Sequence, residues 1–201
     1  MPAANPPIPA FAAEPPQEPL AGGRWGERLR AELLAAAQDF DDLGTIGAAT
    51  FFPDRTWHGY TYIPLTAPTE SGNLLYGYVR FVAGTDGREQ GDFTAQADFT
   101  EETSERNPDW QLDLCDEVVG SWRGEDGAVA AMTLVWGRAL VDGGAVATAE
   151  LGEHTVDQCT IDDGRFTLLA PDDYADALLE VRLYDDSADE LARESLYDED
   201  E

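Results

Sequence analysis

The stretch Phe93-Thr94-Ala95-Gln96-Ala97-Asp98-Phe99 alternates apolar and polar side chains at every step. A period of two places successive side chains on opposite faces of an extended strand, so this run reads as a strand with one face on a core and one in water. The same alternation appears at Trp110, Leu112 and Leu114, and again at Leu179, Val181 and Leu183. Residues 128–141 are apolar on both faces, the pattern of a central, buried strand. Asp-Gly pairs at Asp86-Gly87, Asp126-Gly127, Asp142-Gly143 and Asp163-Gly164 punctuate these runs, and such pairs supply the positive φ that tight hairpin turns need.

About eight to ten strands follow from this spacing. No helical pattern is interleaved with them, which excludes alternating α/β architectures and predicts a mainly β fold, an antiparallel β-sandwich of jelly-roll type. One helix precedes it. Trp25, Leu29, Leu33, Ala36 and Phe40 recur at spacings of three and four, a single helical face suited to covering a sheet. Asp39, Asp41 and Asp42 oppose the dipole at its end and argue against further extension. Seven prolines within the first nineteen residues make the start of the chain an extended, polyproline-like arm. The expected organisation is an arm over 1–23, a helix over 24–42, a sandwich over 43–197 and an acidic tail over 198–201.

The 201 residues suffice for one domain that buries about 70% of its unfolded surface. With 43% apolar residues the chain can build a core despite a net charge of −29. All twelve basic residues are arginine. Such a charge repels nucleic-acid phosphate and anionic membranes, and the cluster Arg24, Arg28 and Arg30 is too small to offset it. It also repels itself in dilute buffer, whereas at 1 M salt the Debye length falls to about 3 Å and that penalty fades. The composition resembles that of halophile proteins. The acids are unevenly spread, 13 in residues 1–100 and 28 in residues 101–201. That asymmetry admits a DNA-mimic reading, although most acids of the second half fall in turns, where solvation accounts for them.

Signatures of catalysis are thin. His58 and His154 are the only imidazoles, and no H-x-x-x-H spacing lets them grip zinc. Without lysine, a Walker-type phosphate loop cannot exist. Ser121 lacks the glycine spacing of a nucleophile elbow. Cys115 and Cys159 match no metal spacing and read as a bridged pair or as two buried thiols. Asp162, Asp163, Asp185, Asp186 and Asp189 are suitable calcium donors outside any EF-hand loop, and a surface-turn role explains them more simply. No cofactor is expected. No secretory leader follows Met1, and no apolar run approaches the ~18–20 residues of a membrane span.

Residues 43–83 carry only four charges, Asp54, Arg55, Glu70 and Arg80, yet hold eight of the twenty aromatics. Read as one strand, residues 57–65 put His58, Tyr60 and Tyr62 on one face and Trp57, Thr61 and Ile63 on the other. In residues 75–81, Tyr76, Tyr78 and Arg80 oppose Leu75, Val79 and Phe81. If these strands lie side by side, Tyr60, Tyr62, Tyr76, Tyr78 and Arg80 form one amphipathic patch. Tyrosine and arginine are the residues that carry binding energy at protein interfaces. The competing account makes the tyrosines half-buried sheet residues with wet hydroxyls.

These features together lead to the expectation of a non-enzymatic structural or assembly protein adapted to high salt. Its partners are protein subunits, with no nucleic acid and no direct membrane insertion. A virion component of a halophile's virus, capsid or capsid-associated, combines them all. The alternatives are a carbohydrate-binding module or carboxylate-dependent hydrolase with its cleft at the four tyrosines, and an acidic DNA mimic.

Overall fold

The computed structural model of the chain describes residues 25–40, 43–82, 91–123, 129–172 and 177–197. The expected arm over 1–23 and tail over 198–201 lie outside the described residues. What is described is an antiparallel, sandwich-like β fold with a single helix, as the alternating runs predict. Twelve strands are present among the described residues, more than the eight to ten expected.

The first sheet contains β1 (Thr50–Phe51), β2 (Arg55–Trp57), β3 (Tyr60–Pro68), β4 (Leu74–Val82) and β5 (Gly91–Thr100). β3, β4 and β5 pair in hairpin order, and β1 and β2 share the other edge of β3. The expected continuous strand over residues 57–65 is in fact a hairpin. His58 and Gly59 take φ of 51° and 79°, the positive-φ pair of a two-residue turn, so the chain reverses between β2 and β3. The turn resets the alternation: Trp57 pairs with Tyr60 and joins the tyrosine face instead of opposing it.

Helix α1 (Gly26–Ala36) covers the opposite face. Leu29 and Leu33, with Ala37 just past its end, pack on Ile63, Leu65, Leu75, Val79 and Phe81. Burying a leucine this completely contributes about 1.5–3 kcal/mol. The helix is shorter than the expected 24–42, because residues 37–39 form a turn that brings Phe40 edge-on to Phe99 at 5.4 Å. At the other end Trp25 meets Phe93 at 6.0 Å. Gly77 in β4 makes the close approach of the helix feasible. A Cβ there would meet the Gln96 carbonyl oxygen and lie 2.9 Å from a methyl of Leu33.

The remaining strands are β6 (Leu112–Arg123), β7 (Val129–Ala139), β8 (Val146–Leu151), β9 (His154–Thr160), β10 (Arg165–Asp172), β11 (Leu179–Tyr184) and β12 (Glu190–Ser195). The central sheet runs β10-β7-β6 and the third sheet β12-β11-β8-β9. The seven strands β6–β12 thus divide three against four, with successive hairpins alternating between the two sheets.

Between the central and third sheets lie Val135, Phe166, Leu168 and Ala170, facing Ala147, Ala149, Val181 and Leu183. The other face of the central sheet presents Met132, Leu134, Trp136 and Leu169 to Phe52, Trp57, Tyr62 and Tyr78 of the first sheet. The layers are therefore helix, sheet, sheet, sheet, and the central sheet is buried on both faces. This is why β7 and β10 carry near-continuous apolar runs.

Two arginines tie the first sheet to the others. Arg165 Nη1 donates to the Phe51 carbonyl at 2.9 Å. In the other direction Arg55, 2% exposed, reaches the seam between β9 and β10. Its Nε donates to the Thr167 carbonyl at 2.8 Å, and its Nη2 to the Gln158 carbonyl at 3.0 Å and to Asp157 Oδ2 at 3.1 Å.

Candidate functional site

The β3–β4 register aligns the expected patch. Tyr62 lies opposite Arg80, Pro64 opposite Tyr78 and Thr66 opposite Tyr76, so Tyr60, Tyr62, Tyr76, Tyr78 and Arg80 do share one face. That face, however, is turned toward the central sheet. Tyr62 and Tyr78 are 2% and 8% exposed, with rings 5.7 Å apart against the Met132–Leu134–Trp136 row. The reading of these two as an open partner surface is corrected on that ground: their area is already used inside the chain. The physical reason is the third sheet of the stack, since a strand's period shows that a face is covered without showing by what.

Tyr60, Tyr76 and Arg80 keep partial exposure at the rim. Arg80 sits 5.1 Å from the Tyr60 ring centroid and donates from Nε to Thr94 Oγ1 at 2.9 Å. Tyr76 packs its ring 6.2 Å from Trp136. Burial pushes the Tyr62 and Tyr78 hydroxyls up, against the pull of Arg80. The Tyr76 hydroxyl is pushed up to about 12, first by burial and then by Asp98, Cys115, Glu117 and Asp116.

The acids around Tyr76 mark the mouth of the gap between the first and central sheets. Asp98 pairs in register with Tyr76 on β5, and Glu117 stands on the facing side of β6. Burial raises the Glu117 carboxyl above its usual range, and the charges of Asp98 and Asp116 raise it further. A like-charged pair at the edge of two packed sheets costs stability wherever salt does not screen it.

β5 forms the outer edge of the first sheet, with no strand beyond it among the described residues. Thr94, Gln96 and Asp98 are exposed along its polar face, and Phe99 keeps 36% of its surface in contact with solvent. The Phe99 amide points away from β4 and donates to the Asp98 carboxylate at 2.7 Å. This self-capped edge had a signal in the sequence, the amphipathic run itself, but alternation alone does not separate an edge strand from an inner one.

The remaining candidates fall apart in space. His58 stacks on Trp57 at 4.2 Å, while His154 opens β9 on the third sheet. Cys115 and Cys159 are both free thiols, raised by burial. Of the acidic turn residues, Asp185 Oδ1 accepts from the Ser187 and Asp189 amides at 2.8 and 2.9 Å, and Asp163 pairs with Arg165 at 2.8 Å. No group of three or more His, Cys, Asp or Glu among the described residues is arranged to hold a metal ion. The surface depressions include a recess of about 50 Å³ beside Cys115 and open grooves of about 170 and 380 Å³. No helix among the described residues is long and apolar enough to cross a membrane.

Comparison with protein-family models, with curated proteins and with solved structures finds no match to this chain.

Proposed function

We propose that this chain is a non-enzymatic structural subunit that assembles with other protein chains in concentrated salt. The observation that carries the reading is the outer edge of β5, a long, amphipathic strand border left open among the described residues, set in a molecule of net charge −29. An unpaired edge is a template for another chain, and proteins that do not use one blunt it. Here the blunting is electrostatic, through Asp98 and the overall charge, so salt weakens it. The Glu117–Asp98 opposition at the sheet mouth supports the same setting, because it is relieved by the same screening. A virion component of a halophile's virus is the context we favour for such a subunit. Tyr62 and Tyr78, on which the carbohydrate-binding and hydrolase alternatives would draw, are packed against Met132, Leu134 and Trp136, which favours the assembly reading.

The test is mass by light scattering across a salt series. The expected result is a monomer in dilute buffer and a larger species in molar KCl, with a melting midpoint that rises with salt. A folded monomer at every salt concentration refutes assembly.

A further inference from the structure

We infer that the outer edge of β5 pairs antiparallel with the β5 of a second copy, in the register that sets Gln96 opposite Gln96 across a two-fold axis. The inference rests on the assembly reading above and names its partner.

The argument begins with parity. Since the Phe99 amide is turned outward, so are the main-chain groups of Ala97 and Ala95, while those of Thr94, Gln96 and Asp98 serve the ladder with β4. Outward groups must meet outward groups, so only registers that oppose odd-numbered residues to odd-numbered residues are allowed. Three of these keep most of the strand paired.

Centred on Ala95, the strands set Asp92 directly against Asp98 of the second copy, which is unfavourable. Centred on Ala97, they avoid that clash but leave Phe93 beyond the end of its partner's aromatic run. Centred on Gln96, Phe93 lies opposite Phe99, Ala95 opposite Ala97 and Thr94 opposite Asp98, with both aromatic pairs made and no like charges opposed. The register shift between Thr94 and Gly91, where Asp92 takes φ of 55°, interrupts the regular ladder at Phe93 and bounds the pairing there. The strand is thus self-complementary over Phe93 to Phe99, the property a two-fold interface needs.

The surroundings agree with this register. Phe93 and Phe99 already contact Trp25 and Phe40 at the two ends of α1. A two-fold axis perpendicular to the sheet places both helices on the same face, so these aromatic contacts run from one copy into the next. Covering Phe99 removes one of the larger exposed apolar side chains of the described surface. Asp98 acts as the gate. Its carboxylate holds the Phe99 N–H that pairing would turn over to the second copy, and its charge adds to the repulsion between copies.

The experiment uses the full chain carrying Gln96→Cys, mildly oxidised in molar KCl. Directly opposed residues of a non-hydrogen-bonded pair stand ~4.5 Å apart, within disulfide reach. Two Thr94 residues would be offset by four positions, ~13 Å, and out of reach. The expected result is a covalent dimer from Gln96→Cys and none from Thr94→Cys or from the unaltered chain, whose own thiols serve as the control. Asp98→Ala should also shift dimerisation to lower salt. If light scattering shows assembly while Gln96→Cys fails to link, the β5 register is overturned and the assembly reading survives. If the chain stays monomeric in molar salt, both fall.

Discussion

Replacing Arg55 with methionine probes the joint between the first sheet and strands β6–β12. Methionine keeps most of the apolar stem and removes the guanidinium, which leaves the Thr167 and Gln158 carbonyls without their side-chain donor and Asp157 without its counter-charge. Taking one partner from a buried ion pair costs about 3–5 kcal/mol. Asp157 retains two amide donors, Leu169 and Gln158, each at 2.8 Å, so the loss should fall near the lower figure, about 3 kcal/mol.

The loss should also depend on pH. Burial already raises the Asp157 carboxyl above its usual 3.8 against the pull of Arg55, and removing Arg55 raises it further. A group whose folded value exceeds its unfolded value penalises the fold when charged. The deficit of the variant is therefore greatest at neutral pH, shrinks as pH falls through the raised value, and is smallest below 3.8. The assay is urea unfolding followed by tryptophan fluorescence in molar KCl, where exposed pairs such as Arg193–Glu190 are screened and this buried one is not. Adding Asp157→Asn should recover about 1–3 kcal/mol, because the stranded charge is gone while an acceptor for Leu169 remains. A loss below about 1 kcal/mol, or one that does not change with pH, would refute the claim that this pair closes the seam.

Other perturbations have equally definite outcomes. Glu117→Gln should raise the melting midpoint in dilute neutral buffer, because the folded carboxyl is raised by burial and then by Asp98; the gain should vanish below its usual 4.5, where both states are protonated, and shrink in molar salt, which screens Asp98 but leaves the burial. Leu29→Ala should cost about 2–5 kcal/mol in urea unfolding, the range for a leucine with no exposed surface. Gly77→Ala should cost about 3 kcal/mol or more by the same measurement, and Leu33→Ala should not rescue it, because the first obstacle is the Gln96 backbone. Cys159, buried and raised to about 11, should not react with a thiol reagent at pH 7 until the chain is unfolded, and should lag behind the partly exposed Cys115; rapid modification of Cys159 in the native protein would contradict its burial.

Where one face of a strand is wet, the sequence was legible. β5 and β11 alternate cleanly and lie where their patterns predict. The same holds for the helical face of Leu29 and Leu33. The misreadings have local causes. His58-Gly59 makes the turn that an Asp-Gly pair usually announces, so Trp57 was assigned to the wrong face. β3, covered on both faces, lost the contrast that would have separated a docking surface from an internal one. Arg55 stood out as one of four charges in an apolar stretch, but its partner Asp157 lies 102 residues further on and is one acid among forty-one. The β5 edge was visible as a strand, while its outermost position depends on the pairing order and was not.

The double coverage of the central sheet has a consequence for how the molecule comes into being. Its floor and its ceiling are contributed by opposite ends of the polypeptide, so neither half can be excised as a free-standing module: the β6–β12 portion alone would bare Met132 and Trp136 to water. During synthesis the tyrosines of the leading sheet stay unsheltered until β7 and β10, which carry Met132, Leu134, Trp136 and Leu169, have emerged.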